Sequence, residues 1–180
     1  MIRQGPVEVK PILPILMCLL LCTVSPLSAR QSHAVWRSAT PAELKDVIPA
    51  RAPVGNEHIE TEMRTASGVT DGKGQFIAGV VLITAGYSAD GKYSHFFLCQ
   101  VPLKIDAFTL PAGQYVIGWS RQSDGLSVRF YEAATGKLVG QVNATREAAV
   151  RVTSFGITPP GNNTRILIGR FSFKYQLAHK

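Results

Sequence analysis

Between Leu126 and Glu132 the chain alternates without a break, Leu126, Val128 and Phe130 against Ser127, Arg129 and Tyr131. A period of two sends successive side chains to opposite faces of an extended strand, so this stretch predicts a ribbon with one face on a core and the other toward water. Ala134-Thr135-Gly136-Lys137 then supplies a turn, and Leu138 to Ala144 returns, so residues 126 to 144 read as a β-hairpin with glycine taking the positive φ.

The same punctuation recurs at Asp71-Gly72, Asp90-Gly91, Asp124-Gly125 and Pro159 to Asn163. Between these turns lie β-rich runs at Phe76 to Thr84, Tyr93 to Ile105, Gln114 to Trp119, Val150 to Phe155 and Arg165 to Tyr175, with a further run near His58 to Arg64. That makes about eight strands with no βαβ alternation. The prediction is an all-β chain, a single antiparallel β-sandwich or flattened β-barrel over residues 57–180. Ala78 to Ile83 is apolar at every position, which predicts a strand buried on both faces or lining an interior. In the last run Leu167, Gly169, Phe171, Phe173 and Tyr175 are read as one face of a single strand, with Arg170, Ser172 and Lys174 on the other.

Residues 30–56 mix polar residues with Pro41, Pro49 and Pro53, the composition of a loosely attached N-terminal arm. Within it, Thr40-Pro41-Ala42-Glu43 places a hydroxyl at an N-cap, proline at the first helical position and glutamate at the third. Leu44, Val47 and Ile48 then share a face, predicting one short helix over Pro41 to Ile48, stopped by Pro49. Residues 1–29 carry Arg3 and Lys10, an apolar run from Ile12 to Val24 and a small-residue exit at Ser25 to Ala29, the three parts of a signal peptide cut after Ala29. The apolar run is shorter than the roughly 20 residues a membrane-spanning helix needs, so no transmembrane span is expected after cleavage, and the chain is expected to be exported, periplasmic or extracellular.

Export removes Cys18 and Cys22 along with the signal, leaving Cys99 alone and no intramolecular disulfide. Cys99 lies in the apolar run Phe96 to Cys99 and reads as a buried, inert thiol. Cutting away Arg3, Lys10 and Glu8 lowers the net charge from +7 to +6, and the remaining basic residues form no run. No nucleic-acid partner is expected; a diffuse attraction to lipid headgroups or acidic polysaccharide fits the charge.

Potential metal ligands cluster only at Asn56 to Glu62, where His58, Glu60 and Glu62 would project from one face of a strand and could hold a divalent ion, with His95 as a fourth ligand. The plainer reading of that spacing is a solvated strand face. Gly118-Trp119-Ser120-Arg121-Gln122 fails as a nucleophile elbow, and Gly72-Lys73-Gly74 lacks the rest of a phosphate-binding loop. No catalytic residue and no cofactor is assigned. Tyr115 and Trp119 share a face, and Tyr131 is a further aromatic of the sheet; exposed, they could stack on a sugar or an apolar ligand, and buried, they are core. Asn143-Ala144-Thr145 and Asn162-Asn163-Thr164 match the glycosylation sequon.

From Leu110-Pro111-Ala112-Gly113-Gln114-Tyr115 through the hairpin at Phe130 to Lys137, the chain resembles uncharacterised exported bacterial β-proteins of acidobacterial type that open a strand with L-P-A-G-x-Y. The resemblance spans residues of about 74 to 175. It implies a place in the envelope and an all-β fold, and no activity. Together these features predict an exported non-enzymatic binding or interaction module whose ligand is an apolar small molecule, a glycan or an envelope protein. The alternative is a metal-dependent or hydrolytic enzyme on the same scaffold.

Overall fold

In the computed structural model Gly5, residues 35–148 and residues 151–178 are described; the predicted signal segment lies outside the described residues. The elements run β1 (Arg37–Ser38), α1 (Pro41–Val47), β2 (Arg51–Val54), β3 (Glu57–Thr70), β4 (Phe76–Leu82), β5 (His95–Cys99), β6 (Leu103–Ile105) and β7 (Phe108–Leu110). They continue through β8 (Gly113–Arg121), β9 (Gly125–Glu132), β10 (Leu138–Arg146), β11 (Thr153–Ile157), β12 (Arg165–Gly169), β13 (Phe171–Lys174) and β14 (Gln176–Leu177). Eleven strands form one antiparallel, nearly closed barrel-like sheet in the order β1-β3-β4-β5-β8-β9-β10-β13-β12-β11, with β2 also paired to β3. A smaller sheet of β14, β6 and β7 ties down the described C-terminal end. Among the described residues no helix is long and apolar enough to cross a membrane.

The predicted hairpin forms as β9 and β10, with Gly136 at φ +67° in the turn, and Leu126, Val128 and Phe130 are buried on the inner face. The helix is held by the predicted capping box. Glu43 N–H donates to Thr40 Oγ1 (3.3 Å) and Thr40 N–H to the Glu43 carboxylate (2.8 Å), which Arg37 also grips at 2.6 and 2.9 Å. Leu44 seats the helix on β3 at Gly68, where an added Cβ would lie 2.8 Å from the leucine methyl.

Among the described residues there are fourteen strands rather than eight, because short strands joined by tight turns read in sequence as single runs. Tyr93 to Ile105 divides into β5 and β6 around Pro102, whose ring removes a ladder donor. Arg165 to Tyr175 is a hairpin: Gly169 takes φ +64°, and Ile166 and Ile168 pair with Phe173 and Phe171. The turn shifts the alternation by one residue. The inner ladder is therefore Ile166, Ile168, Phe171 and Phe173, while Arg165, Leu167, Ser172 and Lys174 face outward, which corrects the single-strand reading. The stretch read as a loose arm carries two strands on β3, with Ala52 and Val54 buried.

Two cores result. The inner one fills the barrel with Phe97, Phe130, Phe155, Phe173, Tyr115 and Tyr175 among others. The second lies outside β3, β4, β5 and β8, where Leu44, Ile48, Ile59, Val80, Phe96 and Val116 meet beneath α1 and β2. Of the run Ala78 to Ile83, Ala78, Val80 and Leu82 join the second core and Gly79 meets the Phe155 ring on the inner side, while Ile83 is exposed at 44%, which corrects the expectation of a run buried throughout. The curl closes where β11 packs across β3 and β4. Ile157 N–H donates to Ser67 Oγ (3.0 Å), and the Phe155 ring occupies the place of a side chain at Gly79, where a Cβ would fall 2.5 Å from ring carbon.

Closure by this contact sets a testable expectation. Phe155→Ala should cost about 3–5 kcal/mol and Gly79→Ala about 1–3 kcal/mol, since its methyl must displace the ring. Urea unfolding of both variants reads the losses; a stable Gly79→Ala protein would contradict the seam.

Candidate functional site

The three aromatic candidates do not form one surface. Tyr115 is buried in the inner core, its hydroxyl donating to the Pro111 carbonyl (2.7 Å), and burial pushes its pKa up to about 12. Trp119 stays 43% exposed. Tyr131 pairs in register with Val116 and so lies on the opposite face of the sheet, edge-on to Tyr93 at 5.3 Å. Cys99 also contacts the Pro111 carbonyl (3.2 Å), and burial raises its thiol to about 12, an inert position.

Nor are the strand-borne ligand candidates assembled. His58 and Glu60 are exposed on β3 beside Pro53 and Arg51 of β2. Glu62 sits where residues 63–66 bulge out of the β3–β4 ladder, and Arg64 takes both its oxygens at 2.9 Å, which lowers its pKa to about 2. Among the described residues no three His, Cys, Asp or Glu side chains come together to hold a metal ion.

The outer face of β10, β13 and β12 carries a different arrangement. A cleft of about 560 Å³ is lined by Asn143, Thr145, Glu147, Arg165, Ser172 and Lys174, together with the 161–164 turn. Ser172 Oγ donates to the Glu147 carboxylate, and Arg165 Nη1 meets the same oxygen at 2.8 Å. The Ser172 hydrogen bond first, then the Arg165 guanidinium, hold the Glu147 carboxyl below the usual carboxylate range. Arg165 is thus splinted against the sheet through one nitrogen. Asn143 and Thr145 are shared with a second cleft of about 400 Å³ walled by residues 122–125. On its floor Ser127, expected to be wet, is only 4% exposed, and its hydroxyl has no hydrogen-bond partner. Glu147 is shared with a third cleft of about 410 Å³, where Arg146, Arg170 and Val152 gather.

Through these shared residues the three clefts adjoin one another as a trench lined by both polar and apolar groups of strands and turns. In the sequence Arg170, Ser172 and Lys174 read as the outward face of the last strand, Asn143, Thr145 and Asn162 as sequon members, and the rest as scattered charges. The signal that would have found them is the outward alternation of Gln141, Asn143 and Thr145, read against a hairpin at Gly169. The chain matches no family model, and no curated protein and no solved structure is significantly similar to it.

Ser94 and His95 form a hydroxyl–imidazole pair, Ser94 Oγ lying 2.8 Å from Nδ1. The other ring nitrogen, Nε2, faces the Ser154 carbonyl of β11 at 3.3 Å; a carbonyl only accepts, so Nε2 carries the proton, while Nδ1 lies against a Ser94 hydroxyl that also reaches the Ile117 carbonyl at 3.0 Å. The imidazole is 4% exposed and lies 5.1 Å from the Phe155 ring, so the pair latches β11 to β5 from inside. Burial pushes the His95 pKa down to about 4. Between that value and 6.5 the unfolded chain binds a proton that the folded chain refuses, so stability is full above 6.5 and falls as pH drops through the window, by on the order of 3 kcal/mol at its foot. Glu43 and Glu62, held low by Arg37 and Arg64, lose their contribution only below 4.5. Urea melts from pH 7 to 4.5 should show this slope in the protein and a flat profile in His95→Gln; a flat profile in the unsubstituted protein would rule the latch out.

Proposed function

We propose that the chain is an exported, non-enzymatic binding module of the bacterial cell envelope that holds a glycan in the trench over β10, β13 and β12. The observation that carries this reading is the set of three clefts, sharing Asn143, Thr145 and Glu147, that bring amide, hydroxyl and guanidinium groups from strands and turns to the surface beside apolar side chains such as Val142 and Phe173. Sugars are recognised by such dense hydrogen bonding, and strand-borne side chains are pre-positioned for it. The barrel interior is filled by its own aromatic rings, which favours a ligand on the outer face over an apolar small molecule within. The hydrogen-bonding groups of the trench likewise favour a hydroxyl-rich ligand over an apolar protein surface. Export rests on the signal-like segment ending at Ala29.

Two measurements test the reading. In a bacterial host the secreted form should begin at Arg30 by N-terminal sequencing; retention of the intact N-terminus would contradict export by cleavage. Calorimetric titration with a panel of neutral and acidic oligosaccharides should detect a binder. Asn143→Ala with Thr145→Ala, at exposed strand positions, should weaken it by about 2 kcal/mol, near thirtyfold, as two hydrogen bonds are lost. A panel without a binder, or binding indifferent to the double variant, would contradict the site.

A further inference from the structure

We infer that the ligand of the trench is an acidic polysaccharide, a sugar chain bearing carboxylate, sulfate or phosphate groups; this rests on the glycan reading above and names its charge. Four cations line the clefts on either side of Glu147 where β10, β13 and β12 meet, with Asp106 as a second carboxylate on the wall of the larger cleft. Arg165 touches Glu147, and Lys174 is its register partner on β13. Arg146 and Arg170 line the cleft on the other side of Glu147. Among the described residues Arg146 and Arg170 form no salt bridge, and Lys174 acts on Glu147 only at longer range, so the positive charge at these clefts exceeds what Glu147 offsets.

The cluster is invisible in the sequence because its members come from three strands and a turn. Folding concentrates a charge that composition shows only as a diffuse excess. Groups this close lie within about one Debye length, so their potentials add. Guanidinium groups present paired donors that match the oxygens of carboxylate, sulfate and phosphate. The neutral partners beside them, Asn143, Thr145 and Ser172, suit the hydroxyls between successive charged groups. The charges line clefts rather than a flat face, which favours a threaded chain over a membrane surface.

Binding of the full purified chain to polygalacturonate, neutral dextran and phosphatidylglycerol-containing vesicles tests the inference, with Arg146→Gln/Arg170→Gln as the trench variant. Lys45→Gln/Lys137→Gln removes the same charge from α1 and the far turn of the β9–β10 hairpin. Polygalacturonate should bind, weaken with added salt, and lose at least about tenfold in affinity in the arginine variant while the lysine variant keeps it. An equal loss in both variants, or preferential binding to vesicles, would overturn the inference. Binding to dextran that ignores the arginines would overturn it and leave the glycan reading standing; binding to no saccharide would remove both.

Discussion

The Phe155 ring lies on Gly79, in the space where any other residue of β4 would put a side chain. Much follows from that contact. β11 can cross the inner face of β3 and β4 only because β4 has no Cβ there, and the crossing turns a curled sheet into a nearly closed one. His95 and Ser67 reinforce it with polar contacts to Ser154 and Ile157, so the backbone at the seam is satisfied where a ladder partner is missing. With the inside sealed by aromatic rings, chemistry is left to the outer face.

That outer face divides in two. Over β3, β4, β5 and β8 it is apolar and covered by α1 and β2, which makes these strands buried on both sides. Over β9, β10, β13 and β12 it is polar. The division is written in the alternate residues: Ala78, Val80, Phe96 and Val116 on one half, Ser127, Asn143, Thr145 and Ser172 on the other. A short helix with a well-made cap thus leaves one half of the barrel free to meet a partner.

Local chemistry was legible in the sequence wherever it acts alone. The cap at Thr40 and Glu43, the strand at Leu126 to Phe130, the turn at Gly136, the largely buried strand from Ala78 to Leu82 and the buried thiol of Cys99 each follow from residues near one another in the chain. What was not legible depends on register. Gly169 inside an apolar ladder reads as a strand residue until its positive φ turns it into a hairpin, and that one turn reverses which of residues 165 to 168 face outward while 171 to 174 keep the faces read from the sequence. Ser127 alternates as a solvated residue but is covered by the 122–125 turn. The trench is hidden for the same reason: Arg165, Lys174, Arg146 and Arg170 become neighbours only through pairing, and no spacing announces it. The aromatic and acidic candidates, chosen for spacing along single strands, are dispersed because a sheet gathers residues across strands more than along them.

Closure of the sheet is most directly tested by proton NMR at the seam. The Phe155 ring protons should show strong nuclear Overhauser effects to the Gly79 α-protons, and those α-protons should be displaced upfield by the ring current of the stacked phenylalanine. Gly79 α-protons at ordinary shifts, with no cross-peak to the Phe155 ring, would mean that β11 does not close the barrel.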